Sequence, residues 1–154
     1  EVQRLLEVTK ATLDLAISLM ANKKFWSQVA AEMADFVRSH GFSVVEAFVG
    51  HGIGREMHEE PQVPNFVSPT WLRSGDFPIR PGLVIAIEPM VNMGTKRVRL
   101  QPDHWTQVTA DGKPSAHFEH TVAMTEWGPY ILTGPPGQPL DEIFLSPKMG
   151  SGGG

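Results

Sequence analysis

The run "GLVIAIEPMVNM", residues 82–93, constrains this chain more than any other stretch. Bounded by glycine and proline, it reads as a buried strand in which Glu88 follows five apolar residues in a row. Burying an ionised carboxylate alone costs several kcal/mol or more, on the order of what a whole domain has to spare. Any fold must therefore bring compensation to Glu88. A Lys or Arg, a proton that leaves the acid neutral, or a metal ion would each serve, and each would leave different marks elsewhere in the chain.

At 154 residues the chain has the length of one ordinary domain, and 41% hydrophobic content is enough for a real core. Thirteen Lys and Arg against seventeen Asp and Glu leave a net charge of −4 with no basic block, which argues against nucleic acid or an anionic membrane as partner. No apolar run approaches a membrane span, and "EVQRLLEVTK" has neither the basic start nor the apolar centre of a signal peptide. A cytoplasmic protein is the expectation. The absence of cysteine removes disulfides, thiolate catalysis and Cys-held zinc together, so any metal must be held by His, Asp and Glu.

Apolar residues at Val2, Leu5, Leu6, Leu13, Ala16, Ile17 and Met20 follow helical spacing over about 20 residues, with Asn22 as the stop. Trp26, Val29, Ala30, Met33 and Val37 repeat the pattern into Gly41, which suits a helix C-cap, although the start of this second helix is poorly marked. After Gly41 the texture changes. "FSVVEAFVG", "LVIAI", "HWTQVT", "AHFEHTVAM" and "YILT" are β-branched and aromatic segments bounded by Gly, Pro or Asp, and read as strands. "TADGK" carries the Asp-Gly signal of a hairpin turn between two of them. Helices followed by strands argue for an α+β fold, a helix layer on a largely antiparallel sheet. "GPPGQPL" and the closing "GSGGG" have the composition of a tail that does not pack.

The densest polar segment is "GHGIGREMHEEPQVPNF", with His51 between Gly50 and Gly52 and His58 seven residues later. As a phosphate loop it is weak: Arg55 stands where the last glycine of a dinucleotide fingerprint belongs, and no helical pattern follows. As a zincin helix it fails, because Gln62 replaces the second histidine and Pro61 breaks the helix. In "AHFEHT", strand alternation puts His117, Glu119 and Thr121 on one face, so Glu119 shares the predicament of Glu88. Two such carboxylates with a histidine in a glycine-rich turn form an N/O set suited to divalent transition metals, and several carboxylates favour two of them. Plainer readings stand beside this one. A strand glutamate is often an edge residue facing solvent, a histidine among glycines is often bonded to backbone, and Trp105 can be an ordinary core aromatic.

Taken together, "GHGIGREMHEEPQVPNF", "VIAIEPMVN", "HWTQVT" and "SAHFEHTVAMT" resemble the C-terminal half of a type I methionine aminopeptidase, a metallopeptidase of the M24 family, over residues 1–133. Three segments in the family's order, each with its ligand in place, make the resemblance specific. Proline dipeptidases differ, typically continuing as E-P-G-x-Y where this chain has "EPMVN" and carrying an R-I-E-D-like context where it has "FEHT". Type II methionine aminopeptidases carry a large insertion between the site histidines and the first glutamate, whereas here only about thirty residues separate His58 from Glu88.

The resemblance implies one half of a pita-bread fold, two helices on a mostly antiparallel curved sheet; composition makes 134–154 a disordered Pro/Gly-rich tail. It implies a dinuclear site for cobalt, manganese, iron or zinc that removes the initiator methionine from nascent chains. His51, Glu88 and Glu119 would be metal ligands, Glu88 also handling the proton of the attacking water. His58 would touch the substrate and stabilise the tetrahedral intermediate, while Met57 and Trp105 would line the methionine pocket. The family is usually monomeric. Its two aspartates and a further histidine from the N-terminal half are absent here, and the sequence begins with Glu1 inside a helical pattern. A solitary half would expose a sheet edge and helix faces, so truncation is the expectation, with weak or single-metal binding and little peptidase activity in this chain alone. The alternative is a non-catalytic peptide-binding or ribosome-associated module of the same fold. The segment 68–80 is longer than the resemblance leads one to expect at that point.

Overall fold

An amphipathic stripe becomes a stable helix when it has a surface to bury against. In the computed structural model, which describes residues 1–134, two helices meet that condition: α1 (Val2–Met20) and α2 (Trp26–Ser39) pack on each other and on the sheet. The expected spacing is recovered at Leu5, Leu13, Ala16, Ile17 and Met20, all buried, whereas Val2 and Leu6 are exposed. Thr9 and Thr12 take places in the buried stripe instead. Their hydroxyls donate to the carbonyls of Leu5 and Val8, each at 2.7 Å, which satisfies the polar group without leaving the helix.

The strands are short. They are β1 (Ser43–Val44), β2 (Gly50–Gly52), β3 (Glu59–Val63), β4 (Val84–Ile87), β5 (Met90–Asn92), β6 (Val98–Leu100), β7 (Gln107–Thr109), β8 (Ser115–His117), β9 (His120–Thr125) and β10 (Gly128–Ile131). A third helix, α3 (Pro69–Ser74), stands between β3 and β4. Every pairing among the described strands is antiparallel. They form a five-stranded sheet in the order β10-β9-β4-β2-β3, a three-stranded sheet β1-β5-β8 and a ribbon β6-β7.

The segments expected as single strands, "VIAIEPMVN" and "AHFEHT", are each divided between the two larger sheets. Their register nevertheless runs on unchanged, from Val84 opposite Ala123 and Ile87 opposite His120 to Met90 opposite His117 and Asn92 opposite Ser115. They form one bent ribbon. On that register Glu88 stands opposite Glu119 at the bend, where Pro89 has no N–H to continue a ladder. The two helices straddle the bend. Leu13, Met20, Trp26 and Val29 pack against Ile85, Ile87 and Val122 of the larger sheet, and Leu5, Val8 and Val37 against Val44, Val91 and Ala116 of the smaller.

One turn and one polar segment differ from the sequence expectation. "TADGK" does turn, with Gly112 at φ 72°, but β7 and β8 on either side of it pair with β6 and β5, so it links two sheets rather than closing a hairpin. The polar segment after Gly54 contains β3, whose Val63 is fully buried although its first residues are exposed.

The segment 68–80 explains the poorly marked start of α2. Ser68 caps α3 by accepting from Trp71 N–H at 3.2 Å, Pro69 opens it and Gly75 ends it. Asp76 then reaches α2, where its carboxylate accepts from the Ser27 N–H at 2.9 Å and from the Ser27 hydroxyl at 2.7 Å. From within α2, Gln28 Oε1 accepts from the N–H groups of Lys24 and Phe25. The N-terminal donors of α2 are thus satisfied from a distance and by a back-reaching glutamine, with no Ser, Thr, Asp or Asn at the cap itself. Asp76→Ala is expected to lower stability by about 1 kcal/mol, read as a smaller urea midpoint at unchanged slope. No change in midpoint would mean that solvent caps α2 equally well.

No helix among the described residues is long and apolar enough to cross a membrane. Of the expected tail, residues 135–154 lie outside the described residues.

Candidate metal centre

The site is built on the face of the ribbon turned away from the helices. Ile85 and Ile87 point into the helix-facing core, so alternation turns Ala86 and Glu88 to the other side. On β2, His51 pairs with Ala86, which pairs in turn with Thr121, and the small Ala86 side chain leaves His51 room to lean toward Glu88. The glycines flanking His51 are required by close approach. A Cβ at Gly50 would sit 2.2 Å from the carbonyl oxygen of Ala86, and one at Gly52 would sit 2.2 Å from that of Glu60. The register between β2 and β3 also shifts at His51 and Gly52, which re-aims the histidine.

Each of His51, Glu88 and Glu119 offers one ligand atom such that all lie within 4.8 Å of one another. The His51 and Glu88 side chains are mostly buried, at 17% and 15% exposure, while Glu119 is exposed. His51 Nδ1 lies 2.9 Å from the Gly52 carbonyl, which only a ring N–H can satisfy. That hydrogen bond fixes the tautomer and leaves Nε2 with its lone pair facing Glu88 Oε1 at 3.7 Å. The backbone of Glu88 is held as well, its carbonyl accepting from Asn65 Nδ2 at 3.2 Å, and Asn65 is buried.

The second oxygen of Glu88 lies 3.3 Å from His117 Nε2. A hydrogen bond to Glu88, followed by the negative charge of Glu88 and Glu119, raises the pKa of His117 above its ordinary value, with partial burial opposing. His117 was recognised in the sequence only as sharing a face with Glu119. On the ladder it is the diagonal neighbour of Glu88, close enough for a long side chain to reach. The His58 ring lies beside that of His51, centroids 4.2 Å apart and planes tilted by 48°. Met57 and Trp105 stand apart in loops, 70% and 86% exposed, Trp105 in the turn of the β6–β7 ribbon.

Among the described residues, both ion-pair partners of Glu88 are histidines, so the cation that its burial demands is not supplied by Lys or Arg. A divalent ion fits the donors. Ligand atoms each about 2.1 Å from a common ion stand roughly 3–3.6 Å from one another, with opposed ones near 4.2 Å, and His51 Nε2 and Glu88 Oε1 lie 3.7 Å apart. The mixture of imidazole and carboxylate suits a borderline first-row divalent metal.

Two helices on one face of a bent antiparallel sheet, with a histidine and two carboxylates gathered at the bend on the other, define one half of the pita-bread class. The profile of metallopeptidase family M24 matches residues 1–126. Methionine aminopeptidase from Clostridium perfringens (strain 13 / Type A) is 47% identical over 134 residues, which is 86% of this chain and 52% of that protein. Methionine aminopeptidase 1 from Bacillus subtilis (strain 168) is 44% identical over 131 residues, 85% of this chain and 51% of that one. The crystal structure of methionine aminopeptidase from Thermotoga maritima aligns with a TM-score of 0.79 at 43% identity, covering 86% of this chain and 52% of the other. The chain belongs to metallopeptidase family M24. It spans about half the length of the curated relatives it matches.

Proposed function

We propose that this chain carries one half of the active site of a methionine aminopeptidase, which hydrolyses the bond after an N-terminal methionine. The observation that carries the reading is the convergence of His51, Glu88 and Glu119 within 4.8 Å, in a chain 47% identical to a methionine aminopeptidase. In that role His51 Nε2, Glu88 and Glu119 hold divalent metal, two ions once the partner half supplies its ligands, with cobalt, manganese, iron and zinc all compatible with the donors. When bound, the metal supplies Lewis acidity for activating water and polarising the scissile carbonyl.

The chain's own residues do the rest. Glu88 accepts the proton of the attacking water, for which its partly buried carboxylate is placed at the bend. His58, exposed beside His51, is positioned to donate a hydrogen bond to the oxyanion that develops on the substrate. Met57 and Trp105 form walls of the methionine pocket when the partner half closes over them. The substrate is the N-terminal methionine of nascent peptides, in the cytoplasm, and the working unit is a monomer of two halves. The reading as a non-catalytic ribosome-associated module is disfavoured because all three ligand positions are kept.

The test is methionine release from a Met-Ala-Ser peptide with Co2+ or Mn2+, by this chain alone and by the chain joined to the preceding half of the B. subtilis relative. Metal-dependent release by the joined protein, abolished by EDTA and weak or absent in the chain alone, is expected. A joined protein that folds and takes up Co2+ yet releases no methionine would sink the proposal.

A further inference from the structure

We infer that His117 is the positioning residue for Glu88, orienting its carboxylate for metal without itself being a ligand. The inference rests on the metal-centre reading above and adds to it a residue that the ligand set does not contain. Pro89 and the Asn65 hydrogen bond constrain the backbone of Glu88, but the terminal torsion of a glutamate is broad and nearly two-fold, so its carboxylate needs a hydrogen bond to settle. His117 is placed to supply one. Its Nε2 lies 3.3 Å from Oε2 of Glu88, while Oε1 of the same group lies 3.7 Å from His51 Nε2.

The two histidines meet one carboxylate in opposite states. His51 spends its proton at Nδ1 on the Gly52 carbonyl, so its Nε2 carries a lone pair and can bind metal. His117 faces an acceptor-only oxygen with Nε2 at 3.3 Å, a contact that is favourable only with the proton on that nitrogen, and a protonated nitrogen is no ligand. Position agrees with this division. The mutually close donor group comprises His51, Glu88 and Glu119, and His117 lies outside it, with 47% of its side chain exposed at the rim. Register holds it there, since His117 pairs with Met90 one step beyond the bend. Removing such an outer hydrogen bond typically weakens metal binding about 10- to 100-fold.

The test is Co2+ titration of the full chain, followed by calorimetry and by the visible d–d absorption, for wild type, His117→Ala and His117→Gln, with circular dichroism and urea midpoints as the check on folding. His117→Ala is expected to bind Co2+ about 10- to 100-fold more weakly. His117→Gln, whose amide N–H can replace the donor, is expected to stay within about three-fold of wild type with an unchanged d–d spectrum. In the Zn2+-loaded wild type, 15N NMR is expected to show Nε2 of His117 protonated. Unchanged affinity in His117→Ala would overturn the inference. So would a loss of affinity in His117→Gln with an altered d–d spectrum, or an Nε2 that loses its proton to Zn2+, either of which would make His117 a ligand. A wild-type chain that takes up no Co2+ would remove the metal-centre reading and the inference with it, an outcome distinct from the others.

Discussion

Glu88→Ala is expected to leave the metal-free chain folded, with a stability within about 1 kcal/mol of wild type, and to abolish stabilisation by metal. The two halves of this expectation have separate causes. In the absence of metal, Glu88 is a mostly desolvated carboxylate whose partners are two imidazoles, so removing it relieves a desolvation cost about as large as the pairing it gives up. With metal the balance reverses. An ion bound only by the folded chain stabilises it by RT ln(1 + [L]/Kd), about 2.7 kcal/mol at Mn2+ one hundred-fold above Kd. Loss of a direct ligand weakens binding at least as much as loss of an outer hydrogen bond does, here taken as about 100-fold. The same Mn2+ then stabilises Glu88→Ala by about 0.4 kcal/mol or less. Urea midpoints with Mn2+ and with EDTA read both numbers. An equal Mn2+ gain in the variant would show that the ion sits elsewhere, and the assignment of Glu88 as a ligand would fail.

Trp26→Ala is expected to cost about 3–5 kcal/mol, a large part of what a domain of this size has. Trp26 is completely buried at the start of α2, its ring stacked on Phe77 at 5.9 Å and 6°. Its Nε1–H donates to the Pro64 carbonyl at 2.8 Å. Truncation therefore leaves a cavity beneath the larger sheet and a buried carbonyl without its donor. Trp26→Phe keeps most of the volume and loses the hydrogen bond, and about 1–2 kcal/mol is expected there. The loss reaches the site, because Pro64 precedes Asn65, whose amide holds the Glu88 carbonyl. Denaturant curves at constant slope measure both variants. A cost below about 1 kcal/mol for the alanine variant would mean that α2 is held to the sheet by other contacts.

The helices and their inward faces were legible because helical periodicity is local, and Leu13, Ala16, Ile17, Met20, Val29 and Met33 are buried where the spacing put them. Glu88 was marked by a conflict that is also local, a carboxylate among apolar strand residues, and it is mostly buried, whereas Glu119, read in the same way, is exposed. Val2 and Leu6 were misjudged, and Thr9 and Thr12 passed over, for want of a partner surface: a stripe read from sequence has a direction but no edges, and a threonine that bonds its own helix counts as apolar. α3 had a readable Ser-Pro start and Gly stop, yet only the fold shows why it matters, since the cap that Asp76 places on Ser27 joins residues 49 apart in sequence.

By itself the sequence determined that this is an α+β chain with two amphipathic helices, a carboxylate, Glu88, whose burial needs compensation, and no cysteine to help hold a metal. What only the tertiary structure decided is which groups meet. The "TADGK" turn joins two sheets, two expected strands bend where Glu88 and Glu119 face each other, and the bend brings His51 to one oxygen of Glu88 and His117 to the other. The physical reason is that periodicity and composition act between residues a few positions apart. The partner of a buried charge is chosen by strand register and sheet curvature, which depend on every pairing in the layer at once.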